Sequence, residues 1–533
     1  MRGFVGTWQL VRLYLRRDRI KLPVGILVLV AIVASNLSGF ASLYETAQER
    51  AAFAKGVNGN AAQLFMYGPV FNGETLGGLV AWRSIAIAGI LIGLVNLFLV
   101  IRHTRAEEES GRAELVRAGV VGRYAELTAA LVVAVLGNLA IALLLVGTMT
   151  SKDLPRAGAA ALAFGLAAVG CVFAAVGAVT AQLTENARTA RGMASAVLGV
   201  TYLFRAVGDA SRPEGDSWLG LLSPIGWLQR MRPFAGDRWG MLGLALVVAV
   251  VLASAAFVLS TRRDVGAGIM PARLGPPAAP PGLRSPLALA WRLHQPALIG
   301  WTVGFLAIGA VVGGAAKSIG DQLDSNPALK EVFEKLGGSG DLVDAYLAAA
   351  MGILGMLAAA YAVQAALRPH AEESSGRAEP VLATRTTRIS WATSHMVFAL
   401  LGPAVALAAG GLAAGLVYGA TTQEVGRQVP RLLGGALVQL PAVWILAGIT
   451  VALFGLAPRM IQAAWGALVV FLLLGQLGGA FGWDQKLLDI SPFTHIPPVP
   501  SADLTVTPLV SLVVLAGVLV AAGLAGFRRR GIG

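Results

Sequence analysis

The feature that most constrains this chain is a succession of apolar runs, each close to the roughly 20 residues a helix needs to cross the hydrocarbon core of a bilayer. They lie at roughly 22–42, 80–101, 123–150, 157–183, 193–208 and 239–260, and again at roughly 297–316, 346–367, 391–418, 432–455, 461–480 and 505–526. At that depth no water satisfies backbone N–H and C=O groups, so the runs read as helices. The fold expected is an all-α polytopic membrane protein of about twelve transmembrane helices, six plus six, with the fifth run the weakest. Hydrophobic residues make up 56% of the chain and charged residues 13%, which leaves no soluble domain to carry a function.

The net charge of +13 would point to nucleic acid in a soluble protein. Here the basic residues fall in short loops between apolar runs and act as topology determinants, placing both termini in the cytoplasm; no nucleic-acid partner is expected. The single Cys171 cannot form a disulfide within the chain, and the five histidines lack ligand spacing, so no metal site is expected. No cleavable signal sequence is expected before the first run. Arginine outnumbers lysine and alanine and glycine abound, a composition that suits a bacterial plasma membrane.

Residues 3–19 place Gln9, Arg12, Arg16 and Arg19 on one helical face and Phe4, Trp8, Val11 and Leu15 on another, the pattern of an elbow helix in the headgroup plane or of a simple basic flank. A linker over 266–285, with Pro271, Pro276, Pro277, Pro280 and Pro281, divides a first half at 1–265 from a second at 286–533. Ser285 and Pro286 form a helix start and open a second elbow through Trp291 and Arg292. Six spans is an even number, so the halves are parallel repeats. In the long external loops, Asn326 to Gly337 reads as a short amphipathic helix, with Tyr44 to Phe65 its looser counterpart. Late in each half, Ser223, Pro224 and Trp227 match Ser491 and Pro492 in segments that either gate an exit as lids or merely connect spans.

The most concentrated polar signal is duplicated. Ala106-Glu107-Glu108-Glu109-Ser110-Gly111-Arg112-Ala113-Glu114 returns in the second half as Ala371-Glu372-Glu373-Ser374-Ser375-Gly376-Arg377-Ala378-Glu379. Glu108 with Arg112, and Glu373 with Arg377, have the favoured helical spacing of four, and Ser110 and Ser375 are candidate N-caps. Pro380 forbids a long helix after the second copy. A solvated loop would explain the polarity; docking of a cytoplasmic partner would also explain the repeated order.

No catalytic constellation appears. Gly313 to Ser318 ends in Lys-Ser, but Ala316 stands where a phosphate loop needs glycine. Within the runs, Asn96, Asn138, Gln182, Gln364, Gln439 and Gln476 either glue helices or line a path. Charged residues deep in the spans are nearly absent, with Arg83, Glu126 and Arg205 near span ends, which speaks against ion coupling.

The loop from Arg105 through Glu114, with Gly122 and Arg123, its second copy from His370 to Glu379 with Arg388, and the segment Ser223-Pro224-Ile225-Gly226-Trp227 resemble permease subunits of ABC-2-type exporters, in particular fused twelve-span permeases for polyketide or tetronasin-like antibiotics. The resemblance implies that Glu107, Glu108, Gly111, Arg112 and Glu114, and Glu372, Glu373, Gly376, Arg377 and Glu379, form coupling helices facing two copies of a separate nucleotide-binding ATPase. ATP and Mg would bind there, with no cofactor on this chain. It further implies a cavity between the halves for a hydrophobic small molecule, with Asn96, Gln364 and Gln476 as candidates. Pro380 departs from Leu115 of the first copy. The expectation is therefore a non-enzymatic, ATP-driven export permease; the alternative is a major-facilitator-like carrier driven by an ion gradient.

Overall fold

The structure, a computed structural model, describes residues 2–59, 61–119, 121–212, 214–270, 277–278, 280–324, 342–477 and 484–531. It separates into two compact units, Met1–Gly275 and Pro276–Gly533. Among the described residues the regular elements are all helical, and ten are long and apolar enough to cross a membrane.

Unit 1 opens with a short amphipathic helix, α1 (Thr7–Arg17), followed by α2 (Lys21–Leu43), α3 (Ala47–Asn58) and α4 (Ala61–Tyr67). The long helix α5 (Leu76–His103) leads into the acidic repeat, α6 (Arg105–Glu109) and α7 (Arg112–Arg117). After it come α8 (Ala125–Thr150), α9 (Arg156–Leu183), α10 (Ala187–Ser211), α11 (Pro224–Met231) and α12 (Gly240–Thr261). The most enclosed is α9, whose Ala and Gly positions let α5, α8 and α12 approach closely. Small residues matter here because lipid is as apolar as a leucine side chain, so close packing rather than the hydrophobic effect joins the spans.

At the end away from the acidic repeat, Thr46 and Glu49 form a reciprocal capping box that starts α3. Phe40, Tyr44, Phe53, Tyr67 and Trp82 pack beneath it in tilted and edge-on contacts, and the Trp82 indole donates to Gly68 O at 2.8 Å. The looser counterpart expected over Tyr44 to Phe65 is thus well formed. Asn326 to Gly337, its expected partner, lies outside the described residues.

Unit 2 contains α13 (Pro286–Asp324), α14 (Leu342–Ala366), and the second acidic repeat as α15 (Arg368–Ser374) and α16 (Ala378–Leu382). These lead to α17 (Arg388–Thr422), α18 (Val425–Leu437), α19 (Leu440–Leu456), α20 (Ala463–Leu477), α21 (Gln485–Leu488) and α22 (Val506–Arg529). Ser285 caps α13 as its sequence predicts, accepting from Ala288 N at 3.2 Å. The expected second elbow is not a separate helix: α13 runs 39 residues without a break, through Pro296.

All twelve expected spans are helical, but the fifth of each half falls short as a membrane span. In unit 1 the reason is charge: α10 carries Arg188 and Arg191 near its start and Arg205 and Asp209 near its end, which leaves only a short apolar stretch between them. In unit 2 it is length, since α20 has 15 described residues and 478–483 lie outside the described set.

Arg205 is also more deeply placed than its position near a predicted end implied. It is fully enclosed, donating to Phe65 O and Met66 O at 2.8 and 3.0 Å and facing Asp209 at 3.4 Å. The first residues of the interdomain linker are strapped down: Ile269 N and Met270 N donate to Gln182 O and Leu183 O at the end of α9.

Candidate functional site

The repeated acidic stretch folds into the same motif in both units: a short helix, a left-handed glycine and a second short helix. Gly111 has φ 73° and Gly376 φ 71°, backbone values that a Cβ disfavours, so glycine is what permits the sharp corner. Ser110 and Ser375 are not N-caps; each hydroxyl turns back onto the preceding helix, donating to Glu107 O and Glu372 O respectively.

The spacing-of-four ion pairs are replaced by a different pairing. Glu107 accepts from Arg112 Nε at 3.2 Å, and its repeat partner Glu372 from Arg377 Nε at 3.0 Å. The glycine corner reverses the chain between acid and base, so residues five apart meet across the turn where a continuous helix would have joined residues four apart. Each of these acids has a second arginine: Arg17 from α1 reaches Glu107 at 2.8 Å, and Arg368 reaches Glu372 at 2.8 Å.

The second acid of each copy turns inward. Glu108 is buried, gripped through both oxygens by Arg263 (2.9 and 2.8 Å) and by Arg105 at 2.9 Å. Arg105 is itself fully enclosed and donates to Ala181 O, Gly266 O and Ala267 O, while Arg263 Nε donates to Gln182 Oε1 at 2.8 Å. In unit 2, Glu373 pairs with Arg530 at 2.6 Å, and that guanidinium lies over Phe454 and Phe527. Arg263 and Arg530 stand just beyond the last helix of their units, so the last span is tied to the acidic motif in both halves. By sequence alone these arginines count as topology charges. The legible signal was their matched place after each final run.

The copies differ in detail. His370 stands where Arg105 does, so unit 2 lacks the buried three-residue network. Pro380 sits within α16, which stops after five residues. Glu109 has no acidic counterpart and accepts from Ala187 N at 2.9 Å, fastening the start of α10. Glu114 and Glu379 are exposed.

At the base of α5, Asp18 is buried between Arg102 and His103, and the His103 ring stacks on Tyr14 of α1 with centroids 4.2 Å apart. Burial pushes the Asp18 carboxyl up, but the hydrogen bond and charge of His103, with Arg102, outweigh it and hold the group below its ordinary value. The joint between α1 and α2 is therefore locked to the helix that delivers the acidic motif.

A family model described as "Multidrug efflux system permease Rv1217c, C-terminal domain" matches residues 12–259 and 283–528, which include both acidic motifs. The chain is also 45% identical over 531 residues to the multidrug efflux system permease protein Rv1217c of Mycobacterium tuberculosis (strain ATCC 25618 / H37Rv), an alignment that covers 99% of this chain and 96% of that one. The chain belongs to the Rv1217c family of multidrug efflux permeases.

Elsewhere in this Rv1217c-family permease, the residues expected on a substrate path belong to both units, Asn96 to the first and Gln364 and Gln476 to the second. Asn96 is buried and exchanges reciprocal amide bonds with Asn138 at 2.8 and 3.0 Å, the arrangement of interhelical glue between α5 and α8. Gln364 is exposed on unit 2 and accepts from the Trp301 indole at 2.8 Å. The side chain of Gln476 lies outside the described residues.

The late segments are packed into their units. Ser223 caps α11, Pro224 occupies its first turn, and Trp227 is buried and donates to Leu221 O at 2.7 Å. Ser491 is buried beside Phe471 O, and Pro492 opens a short 3₁₀ turn. His294 and His395 meet at 3.0 Å inside unit 2, and no group of three or more metal-ligating side chains forms among the described residues.

Proposed function

We propose that this chain is the membrane subunit of an ATP-driven exporter of hydrophobic or amphipathic compounds, with two copies of a separate nucleotide-binding ATPase seated on the two acidic motifs. ATP and Mg would be bound by that partner, and the acidic motifs and both termini would lie on the cytoplasmic side of a bacterial plasma membrane. The observation that carries the reading is the shared construction of the two motifs. A solvated loop has no need of one fold in two places. Here Glu107–Gly111–Arg112 and Glu372–Gly376–Arg377 reproduce the same corner and the same clasp. Each motif is also tied to the last helix of its unit, so a push on the motif reaches spanning helices through ion pairs rather than through a slack loop.

In the motifs the groups exposed towards a partner are Glu109, Ser110, Arg112, Glu114 and the 78%-exposed Leu115 in the first, and Ser374, Ser375, Arg377 and Glu379 in the second. The relative named as a multidrug efflux permease supports the cargo class. Ser223, Pro224, Trp227, Ser491 and Pro492 would then belong to the external face, where their segments could control exit.

The deciding experiment is reconstitution of the purified chain with a separate nucleotide-binding ATPase subunit from the same organism. Drug-stimulated hydrolysis and ATP-dependent efflux are expected. Reversing Glu114 and Glu379 to lysine should lower export at least about tenfold, the scale of a lost interfacial charge pair, with the chain still inserted. Efflux that persists without any ATPase and collapses with a protonophore would replace this reading with an ion-driven carrier.

A further inference from the structure

Helix α1 and the residues that flank it carry an outward surface, although Phe4 at its edge also packs on Tyr124 of unit 1, ring centroids 5.3 Å apart. Leu10, Val11 and Tyr14 face unit 1 and are buried, and Arg17 reaches sideways to Glu107. What remains is an apolar shoulder, with Phe4 51% and Trp8 56% exposed, beside the exposed Arg12, Arg16, Arg19 and Lys21. The Arg12 guanidinium lies 5.8 Å from the Trp8 ring centre, so the aromatic and cationic groups form one patch.

Glu107 and Glu126 line a pocket beside α1 with Leu10, Tyr14 and Arg17, and the segment itself is poor in acids. Between Met1 and Tyr44 the only acidic residue is Asp18, and it points inward to Arg102 and His103. The position of the patch is set by the chain itself, because α2, of membrane-spanning length, begins at Lys21, a few residues after α1 ends. A helix so placed lies at the water–lipid boundary, where tryptophan and phenylalanine settle among glycerol and upper acyl groups. Unit 2 provides an internal contrast: its first helix runs unbroken from Pro286, with only Arg284 and Arg292 as basic residues up to Gly300.

We propose that α1 is a binding element for anionic phospholipid, its arginines taking headgroup phosphates while Trp8 and Phe4 anchor the helix among the lipids. A basic cluster beside a span attracts acidic headgroups by roughly fivefold in affinity per charge, so the exposed Arg12, Arg16 and Arg19 give marked selectivity over zwitterionic lipid. Because the same helix presents Arg17 to Glu107, lipid held on α1 also steadies the first acidic motif. The second motif has no such support.

The test is native mass spectrometry of the detergent-purified full chain titrated with phosphatidylglycerol or phosphatidylcholine. Phosphatidylglycerol should bind at least about tenfold more tightly, with the preference shrinking as salt rises. The combined Arg12→Gln, Arg16→Gln and Arg19→Gln variant should lose most of that preference and keep phosphatidylcholine binding, whereas Arg292→Gln should change neither. A photoactivatable phosphatidylglycerol on the unaltered protein gives a readout that needs no variant: adducts should map to Arg2–Lys21. Equal binding of the two lipids, adducts confined to other segments, or displacement of the lipid by millimolar glycerol phosphate would each overturn the proposal.

Discussion

Two neighbouring glutamates with identical chemistry have opposite roles in this chain, and the difference lies in what surrounds them. Glu107 is held at the surface of its motif by the half-exposed Arg17 and Arg112, where solvent screening leaves a pair worth about 0–1 kcal/mol. Glu108 is enclosed between Arg105 and Arg263, and removing one member of a buried charge network typically costs about 3–5 kcal/mol because the others are left uncompensated. Glu108→Gln should therefore lower the thermal midpoint and the yield of folded chain, with Glu107→Gln close to wild type in both. Comparable melting curves for the two variants would contradict the assigned burial. The acidic run and its repetition are plain in the sequence. Which acid turns inward is not, because the choice depends on Arg263, which follows the unit's last helix and reaches the motif only after the bundle has closed.

At the scale of elements, contact between spans is set by glycine rather than by bulk. A Cβ built on Gly455 of α19 would lie 1.8 Å from Gly523 O of α22, so the two backbones pass with no room for a side chain. Such an approach supplies the dispersion contacts that substitute for a hydrophobic drive inside a bilayer. Gly455→Leu should force α22 away and cost about 3 kcal/mol or more as overpacking, disturbing the Arg530–Glu373 tie at the end of the same helix. Gly466→Leu serves as the control, since a Cβ there meets nothing within 4 Å. Thermal unfolding of the two purified variants decides, and equal midpoints would remove the packing argument. Hydropathy located these helices well. It misjudged the second elbow because nothing local reports that α13 continues through Pro296, a break that packing against α17 overrides.

For the whole molecule, each unit has its own buried core: Leu97, Leu162 and Phe173 belong to the first, and Leu354, Leu407 and Leu446 to the second. The motif ties also close within units, Arg263 to Glu108 and Arg530 to Glu373, and none of them depends on the other half. Residues 1–275 and 276–533 produced as separate chains should each insert and give a cooperative thermal transition. A half that is degraded or melts without a transition would show that the core is shared. The linker is less simple than its prolines suggest, for its first residues are pinned to α9 by Ile269 and Met270 and beneath Arg105 by Gly266 and Ala267.

The chain's class, its helical spans and its duplicated acidic motif follow from sequence, because hydropathy and chain repetition act locally and leave a periodic trace. The partners of Glu107 and Glu108, the enclosure of Arg205, the amide pair Asn96–Asn138 and the outward surface of α1 were decided only in three dimensions. Each depends on residues far apart in the chain, brought together by helix packing, and the preference of a charge for water, lipid or an arginine is settled by what the completed bundle leaves around it.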